Sequence, residues 1–540
     1  MRSARPRGTL AIGALALVMA SAAPALASPV GAGEEQRPNI LVVMTDDMAA
    51  ADIDLMPNVQ RLLVDRGTSF TDTITTFPLC CPSRATFLTG QYAHNHGVVG
   101  NFYPFGWYGM EGRGNTLPVW LDEAGYETAL IGKWLNGYGA RDAHGEIPPG
   151  FDIWRGLLDV SAYDYGNYVM NRNGKLKTWG DAEFARKLVE FAEIEVTPHE
   201  PGLATILAQR NKIFGPPPYE YWGTQDPRDY SPDVTGRVTD RILARQEDSK
   251  DPFFVWWSVA APHREDVATT LLGRAGPDPA PPERYADEVG DYDLPRPPSF
   301  NEADISDKSS NLTSTAPLLN QAAIDRLESN YEGRVGSLLA VDDKVRRMVR
   351  TLRQTGELEN TLIVFTSDNG WLQGEHRITG DKFLPYEESL QVPLVMRGPG
   401  VPKGETIPRQ VGNIDLAPTL VDVANAKAGR NMDGISLLPG LRHPDGIPRR
   451  ALQLEAPEPL FEGDVPVNRW DQPYSGVRTA NFTYVVWTDT GEEELYDREF
   501  DPFQLTNLAD DPGYAPTKAY LAAKLTELED CSGASCTVSP

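Results

Sequence analysis

The run Asn39-Ile40-Leu41-Val42-Val43-Met44 is apolar without alternation, the pattern of a strand covered on both faces. The pattern returns at 128–132, in the aromatic-rich stretch 253–260, at 361–366 and at 392–396. Between these runs the apolar spacing becomes helical, at 56–66, at 117–124 before Gly125, and at 414–424. The longest helical pattern covers 327–355, with Leu338, Leu339, Val341, Val345 and Met348 on one side and Gly356 closing it. Strands alternating with helices predict an α/β fold: a large, mostly parallel sheet flanked by helices. From about Ala451 the texture changes to short strand-like segments such as Tyr484-Val485-Val486-Trp487, followed by a helix near 516–528. This predicts a main domain over 38–450 and a smaller C-terminal α+β subdomain with an antiparallel sheet over 451–540. Residues 175–230 show helical patches, and 265–320, rich in Pro, Asp and Ser, read as a long surface excursion.

The 540 residues are 41% hydrophobic and 9% aromatic, enough for a large core, which excludes disorder as the overall class. Lys and Arg number 50 against 76 Asp and Glu, a net charge of −26. This balance argues against nucleic acid and against anionic membrane surfaces as partners. Arg2, Arg5 and Arg7, the apolar stretch 9–20 and Ala25-Leu26-Ala27 form a secretory signal pattern over 1–27, with a flexible leader at 28–37. A secreted or extracytoplasmic protein without a membrane anchor is expected. In that compartment Cys531 and Cys536 suggest a small disulfide loop.

Chemistry concentrates at the ends of the buried runs, where open α/β sheets bind ligands. Asp46 and Asp47 end one, Asp368 and Asn369 another. Four such oxygen donors suit Ca²⁺ or Mg²⁺ rather than zinc, although each pair alone also reads as a turn or helix cap. Cys80 and Cys81 precede Pro82, where a helix is expected to start and to end near Gly90. A thiol at a helix N-terminus beside Arg84 is expected to have a lowered pKa and to act as a nucleophile; a buried structural Cys pair is the alternative.

The segment Cys80-x-Pro82-Ser83-Arg84-x-x-x-Leu88-Thr89-Gly90 resembles the signature of the type I sulfatases over its whole length, with Asp46-Asp47 before it and Asp368-Asn369 after it in the family's order. The resemblance runs from about Asn39 to Ala509 and is nearest the N-acetylglucosamine-6-sulfatase and arylsulfatase branch, through Lys133-x-Leu135-Asn136, Cys80-Cys81-Pro82 and His94-Asn95-His96. It implies an alkaline-phosphatase-like fold. It implies that Cys80 is converted to formylglycine by a formylglycine-generating enzyme, and that its hydrated side chain attacks sulfur with one hydroxyl and expels sulfate with the other. Asp46, Asp47, Asp368, Asn369 and the modified Cys80 would hold the divalent metal, Ca²⁺ first and Mg²⁺ second. Arg84 and Lys133 would hold the diol and sulfate, and His263 and Lys382 the sulfate and leaving group. Asp368 is a candidate base for the attack. His376, in Gly374-Glu375-His376, resembles a histidine found in part of the family.

One position departs from the pattern. Many sulfatases place a His two residues after the first lysine, and here Leu135 stands there. The base that collapses the sulfated intermediate is left to His96, His376 or water. The expected substrate is a small or chain-end sulfated sugar or an aryl sulfate. The competing readings are a phosphonate or phosphate ester hydrolase of the same superfamily, and a non-catalytic sulfated-glycan binder with Cys80 unmodified. The aromatic run Phe102 to Tyr108 would stack on a sugar ring or simply pack in the core.

Overall fold

A computed structural model describes residues 37–101, 105–139, 145–159, 161–195, 227–245, 249, 251–265, 278–457, 461–462, 465–466 and 472–540. The expected signal peptide and nearly all of the leader lie outside the described residues, as do parts of both segments read as excursions.

The principal sheet has ten strands: β1 (Asn39–Thr45), β2 (Thr68–Phe70), β3 (Glu127–Gly132), β4 (Ile153–Leu157), β5 (Tyr168–Arg172), β6 (Lys175–Trp179), β7 (Phe253–Ser258), β8 (Thr361–Ser367), β9 (Leu394–Arg397) and β10 (Glu405–Ile407). Their order across the sheet is β10-β2-β9-β8-β1-β7-β3-β4-β5-β6. The centre is parallel: Ile40 pairs in register with Phe254 of β7 on one side and Leu362 of β8 on the other. β9, and the β5–β6 hairpin beside β4, run antiparallel.

The helices that carry the argument are α1 (Pro57–Leu62), α2 (Cys80–Thr89), α3 (Ser231–Leu243), α4 (Gln321–Gln354), α5 (Leu416–Ala424) and α6 (Ala515–Glu529). They explain the unbroken apolar runs. Leu41, Val43, Val255, Trp257, Ile363 and Phe365 face α4 through Leu338, Val341, Val345 and Met348. Ile40, Val42, Phe254, Trp256, Leu362 and Val364 face α2 and α5 through Phe87, Leu88, Leu416 and Leu420. Successive residues of a strand point to opposite faces, so a sheet coated on both sides keeps no polar register.

Beyond the sheet lie four antiparallel strands, β11 (Leu452–Ala456), β12 (Tyr474–Arg478), β13 (Phe482–Trp487) and β14 (Glu493–Asp497), in sequence order. One face packs on α6 through Val477, Tyr484, Leu521 and Leu525. The other, through Tyr474, Val485, Trp487 and Tyr496, packs on Phe77, Leu79, Phe383 and Tyr386. Those last four flank Cys80 and Lys382, so this small sheet supports the segments that carry them.

Two expectations are corrected. The stretch read as helical patches opens with β6, which extends the sheet; Ala182–Glu195 is helical, and 196–226 lie outside the described residues. The Pro-rich segment near 300 is not a loose excursion: Leu294, Ile305 and Leu312 are buried, and Asn301 hydrogen-bonds both to Leu319 and to the Gly374 carbonyl.

Candidate active site

The helix carrying the signature begins at Cys80 itself, two residues before the expected start at Pro82. Pro82 is tolerated in this first turn because its missing N–H has no intrahelical partner there. Gly90 ends α2 at φ 67°, the left-handed conformation that favours glycine. Gly90 thus fixes the C-terminal end of a ten-residue helix in which every residue is buried.

Around Cys80 the ends of β1, β3 and β8, and the segment after β7, converge. One ligand atom each of Asp46, Asp47, Cys80 and His263 lies within 4.8 Å of the others. Cys80 Sγ is 3.7 Å from Asp46 Oδ1. Lys133 Nζ and Arg84 Nη2 lie 2.5 Å and 3.2 Å from Asp46 Oδ2. Arg84 Nε donates to Asp368 Oδ2 at 2.8 Å and Nη1 to Ser258 Oγ at 2.7 Å, which locks the guanidinium between β7 and β8. Asp47 is held by Lys382 Nζ, by His263 Nε2 at 3.4 Å, and by Asn369 Nδ2 at 2.7 Å. Backbone bonds hold the strand ends together: Asp46 N–H donates to Ala261 O and Asp368 N–H to Thr45 O.

The electrostatics follow from burial. Asp46 and Asp47 are inaccessible to solvent, which by itself would raise their pKa values. The opposing pull of Lys133, His263 and Arg84 on Asp46, and of Lys382, His263 and Lys133 on Asp47, outweighs burial and holds both below the usual carboxylate range. Asp368 is raised instead, by burial and then by the neighbouring Asp46 charge, against Arg84. The expected lowering of the Cys80 pKa is not what the structure gives. Burial pushes the thiol up to about 12, more than Lys133 and Lys382 pull it down. Helix position and basic neighbours were legible in the sequence, whereas the loss of solvent was not. A plain thiolate nucleophile is therefore disfavoured here.

The donor set fits a hard cation. Asn369 Oδ1 is buried and has no hydrogen-bond partner, an orphaned carbonyl oxygen beside two ionised carboxylates. Asp368 joins the same cluster: Oδ2 takes Arg84, and Oδ1 accepts from the N–H groups of Asp47 and Asn369.

Three further neighbours carry no motif or spacing by which they could have been found. The Tyr163 ring lies 4.7 Å from Lys133 Nζ and 4.4 Å from the His263 ring, and its hydroxyl accepts from Asn136 Nδ2 at 2.9 Å. Arg334 of α4 donates to the Asp47 carbonyl at 2.6 Å and to Asp52 at 3.2 Å. Trp371 packs under Lys382, with Arg264 and Arg334 over the same ring.

The two candidate histidines stand apart from this cluster. His376 is buried at φ 48°, with Nδ1 2.7 Å from Glu302, Nε2 3.9 Å from Glu388 and its ring against Tyr386. No hydrogen bond or ion pair among the described residues joins it to Asp46, Asp47 or Cys80. His96 is pressed down to about 3 by burial and then by Arg430; its Nδ1 accepts from Val98 N–H, and Nε2 faces Thr86 Oγ1 at 3.0 Å. Within the aromatic run, Trp107 is a core residue packed edge-on to Trp134, while 102–104 lie outside the described residues. Cys531 and Cys536 form a disulfide, and Cys80 and Cys81 are free and buried. No helix among the described residues is long and apolar enough to cross a membrane.

The comparisons with known proteins agree with this geometry. Residues 38–426 match the family Sulfatase, and residues 374–531 match N-sulphoglucosamine sulphohydrolase, C-terminal. The chain is 31% identical to N-acetylglucosamine-6-sulfatase of Homo sapiens, over 93% of this chain and 86% of that protein. Its fold is similar to a structure solved in complex with its substrate D-glucosamine-2-N,6-O-disulfate, at TM-score 0.68 and 23% identity over 91% of this chain and 97% of that one. It is also similar to the phosphonate monoester hydrolase of Agrobacterium radiobacter, at TM-score 0.63 and 22% identity over 91% and 95%. With the family match covering most of its length and a relative this similar from end to end, the chain belongs to the sulfatase family of ester hydrolases.

Proposed function

We propose that this enzyme hydrolyses sulfate esters of sugars at a chain end, 6-sulfated N-acetylglucosamine being the preferred class, with Cys80 as the formylglycine precursor and Ca²⁺ as the bound cation. The observation that carries the reading is the position of Cys80: first residue of a buried helix, beside Asp46, with Lys133 and Lys382 acting on it through space. The substrate class rests on the likeness to the human 6-sulfatase.

Asp46, Asp47 and Asn369 Oδ1 would hold the cation, with Asp368 beside them. When bound, it supplies Lewis-acid charge that lowers the pKa of a hydroxyl and neutralises sulfate oxygens. The protein's own groups do the rest. Arg84, fixed by Asp368 and Ser258, cannot swing away and holds the nucleophilic side chain in one orientation. Lys133 and Lys382 remain protonated, because Asp46 and Asp47 outweigh the burial that would discharge them, so both present full charge to a sulfate dianion. His263 is oriented by its Nδ1, 2.7 Å from Arg264 O, which leaves Nε2 facing the site to hand a proton to the departing alcohol. Tyr163 and Asn136 wall the pocket beside Lys133. Formylglycine supplies two hydroxyls where a serine has one, which lets the sulfated intermediate collapse without attack by water. The signal pattern supports export, and we keep 38–450 and 451–540 as the working division of the chain.

The test is the mass of the peptide containing Cys80, from a host that modifies a control sulfatase, together with turnover of 4-nitrophenyl sulfate against a matched phenyl phosphonate. An aldehyde or its hydrate at Cys80, with preference for the sulfate, is expected. An unmodified thiol would remove the mechanism, and a preference for the phosphonate would move the chain to the phosphonate reading that its second fold neighbour represents.

A further inference from the structure

The acidic chain carries a concentrated basic surface among the described residues. A groove of about 310 Å³ between α1 and the C-terminal half of α4 is lined by Arg61, Lys344, Arg346, Arg347, Arg350 and Arg353, with Asp343 as its one acidic residue. Arg346, Arg350 and Arg353 recur at helical spacing and are exposed, while Val345, Met348, Val349 and Leu352 of the same turns are fixed in the core. The helix cannot turn this face away from solvent.

Three of the cations are compensated. Lys344 pairs with Asp233 at 2.9 Å, Arg346 with Asp343 at 2.8 Å and Arg347 with Asp240 at 2.7 Å. Arg61 donates only to the neutral Asn58 side chain, and Arg350 and Arg353 have no side-chain hydrogen bond or ion pair among the described residues. The excess charge reaches the neighbours: burial, and then the like charges of Arg353 and Arg66, hold the Arg397 pKa below its ordinary value against the pull of Glu359. Complementing the helix dipole accounts for Arg353 in the last turn. It does not account for Arg350, Arg347 and Arg346, about one and two turns earlier, nor for Arg61 on another helix.

The groove is remote from the site described above. Arg334, which binds the Asp47 carbonyl, lies on the same helix sixteen positions before Arg350, about 24 Å along its axis at about 1.5 Å per residue.

We propose that this groove is a binding site for the sulfate groups of a sulfated polysaccharide, holding the enzyme on a polymer whose chain ends it processes. The proposal rests on the sulfated-sugar reading of the Cys80 site. Five of the six cations are arginines, whose planar forks meet two oxygens of a sulfate at once, which lysine does not do. The net charge of −26 repels a polyanion elsewhere and so confines it to this surface. The separation is too long for one short oligosaccharide to fill both places, so polymers gain avidity that monosaccharides do not.

The test uses the full mature enzyme. Its affinity for heparin, as a heavily sulfated polysaccharide, is measured across a salt series beside hyaluronan, which carries carboxylates only, and beside vesicles containing phosphatidylglycerol. Arg350→Gln/Arg353→Gln is compared with Arg350→Lys/Arg353→Lys, and 4-nitrophenyl sulfate turnover is followed in all three proteins. We expect salt-sensitive binding of heparin over hyaluronan and vesicles. The Gln pair should weaken heparin at least tenfold and flatten the log–log salt slope by about 1 to 2, at about 0.7–0.9 per lost contact. The Lys pair, which keeps the charge but loses the planar forks, should fall between the parent and the Gln pair, and turnover of the small ester should stay unchanged. Heparin affinity unaltered by the Gln pair would overturn the proposal, and vesicles binding as tightly as heparin would reassign the groove to an anionic membrane. A parent enzyme that binds heparin here but hydrolyses no sulfate ester would overturn the reading of the Cys80 site and leave the groove standing.

Discussion

Lys382 Nζ lies 2.6 Å and 2.7 Å from the two carboxylate oxygens of Asp47, across 335 positions of chain. The pair ties the segment after β8 to the end of β1, and each partner sets the other's charge: Asp47 keeps the lysine protonated in spite of burial, and the lysine keeps the carboxylate ionised. Lys382→Ala should lower sulfate ester turnover by about 10²–10³, the usual cost of one buried charge donor. It should also cost about 3 kcal/mol of stability by leaving Asp47 underpaired. Steady-state kinetics with a thermal melt reads both. Turnover within tenfold of the parent would remove Lys382 from the sulfate site.

Orphaned Asn369 Oδ1 and the ionised Asp46 and Asp47 predict cation-dependent stability. A protein stripped with chelator should melt lower and recover on addition of Ca²⁺, by about 2.7 kcal/mol at a hundred times the dissociation constant. Asn369→Ala should shrink that shift. A melting point indifferent to both Ca²⁺ and Mg²⁺ would refute the cation site.

Tyr163 touches Lys133 and His263 through its ring and Asn136 through its hydroxyl. Tyr163→Phe should stay within about threefold of parent turnover, while Tyr163→Leu should lose about tenfold, in keeping with a desolvated cation–π contact of about 1–2 kcal/mol. Equal losses in the two variants would show that the hydroxyl, not the ring, matters.

His94 sits 2.8 Å from Glu455 and is raised to about 9; burial opposes the proton, and the hydrogen bond and charge of Glu455 prevail. The folded chain holds this proton more tightly than the unfolded chain, whose histidines titrate near ~6.5. Stability from the pair is therefore complete below about pH 6.5 and is lost as pH rises toward 9. Partial exposure of the ring screens the pair, so the contribution is about 1 kcal/mol. Melting curves from pH 6 to 9 should fall more steeply for the parent than for His94→Gln; parallel curves would disprove the linkage.

Glu387 gathers Arg478 and Arg498, joining the segment after Lys382 to the small C-terminal sheet, and its pKa is held down at about 2, the two arginines and Gln391 overcoming burial. Glu387→Ala should destabilise the fold by about 3–5 kcal/mol, because Arg478 is left charged and fully buried. Chemical denaturation measures this, and a loss under 1 kcal/mol would mean that the network is replaceable.

The central strands were legible because Ile40 and Leu41 each meet a helix on opposite sides, so neither could be polar. The antiparallel edge was not: in β6 the strand is half-exposed, Leu176 points to solvent, and its lysines erase the apolar pattern. Asp46, Asp47, Asp368 and Asn369 announced themselves as acidic and amide pairs at the ends of buried runs. Lys133, His263 and Lys382 are single residues with no spacing rule, visible only through likeness to a family. Tyr163 lacked even that, since it reaches Lys133 from the short helical turn Ser161–Tyr163 that lies between β4 and β5. The thiol was misread for a related reason: sequence displays neighbouring charge but not the absence of water.

Cys80 and Cys81 are 1% and 0% exposed, inside a helix buried along its whole length. No second enzyme can grip that segment once α2 has docked, so any conversion of Cys80 is a matter of timing. It has to take place on a nascent or unfolded chain, in a race with folding. If Cys80 is the formylglycine precursor proposed above, a host that translocates or folds the chain too fast would accumulate native, stable protein without its nucleophile, and an assay for correct folding would not tell the two populations apart.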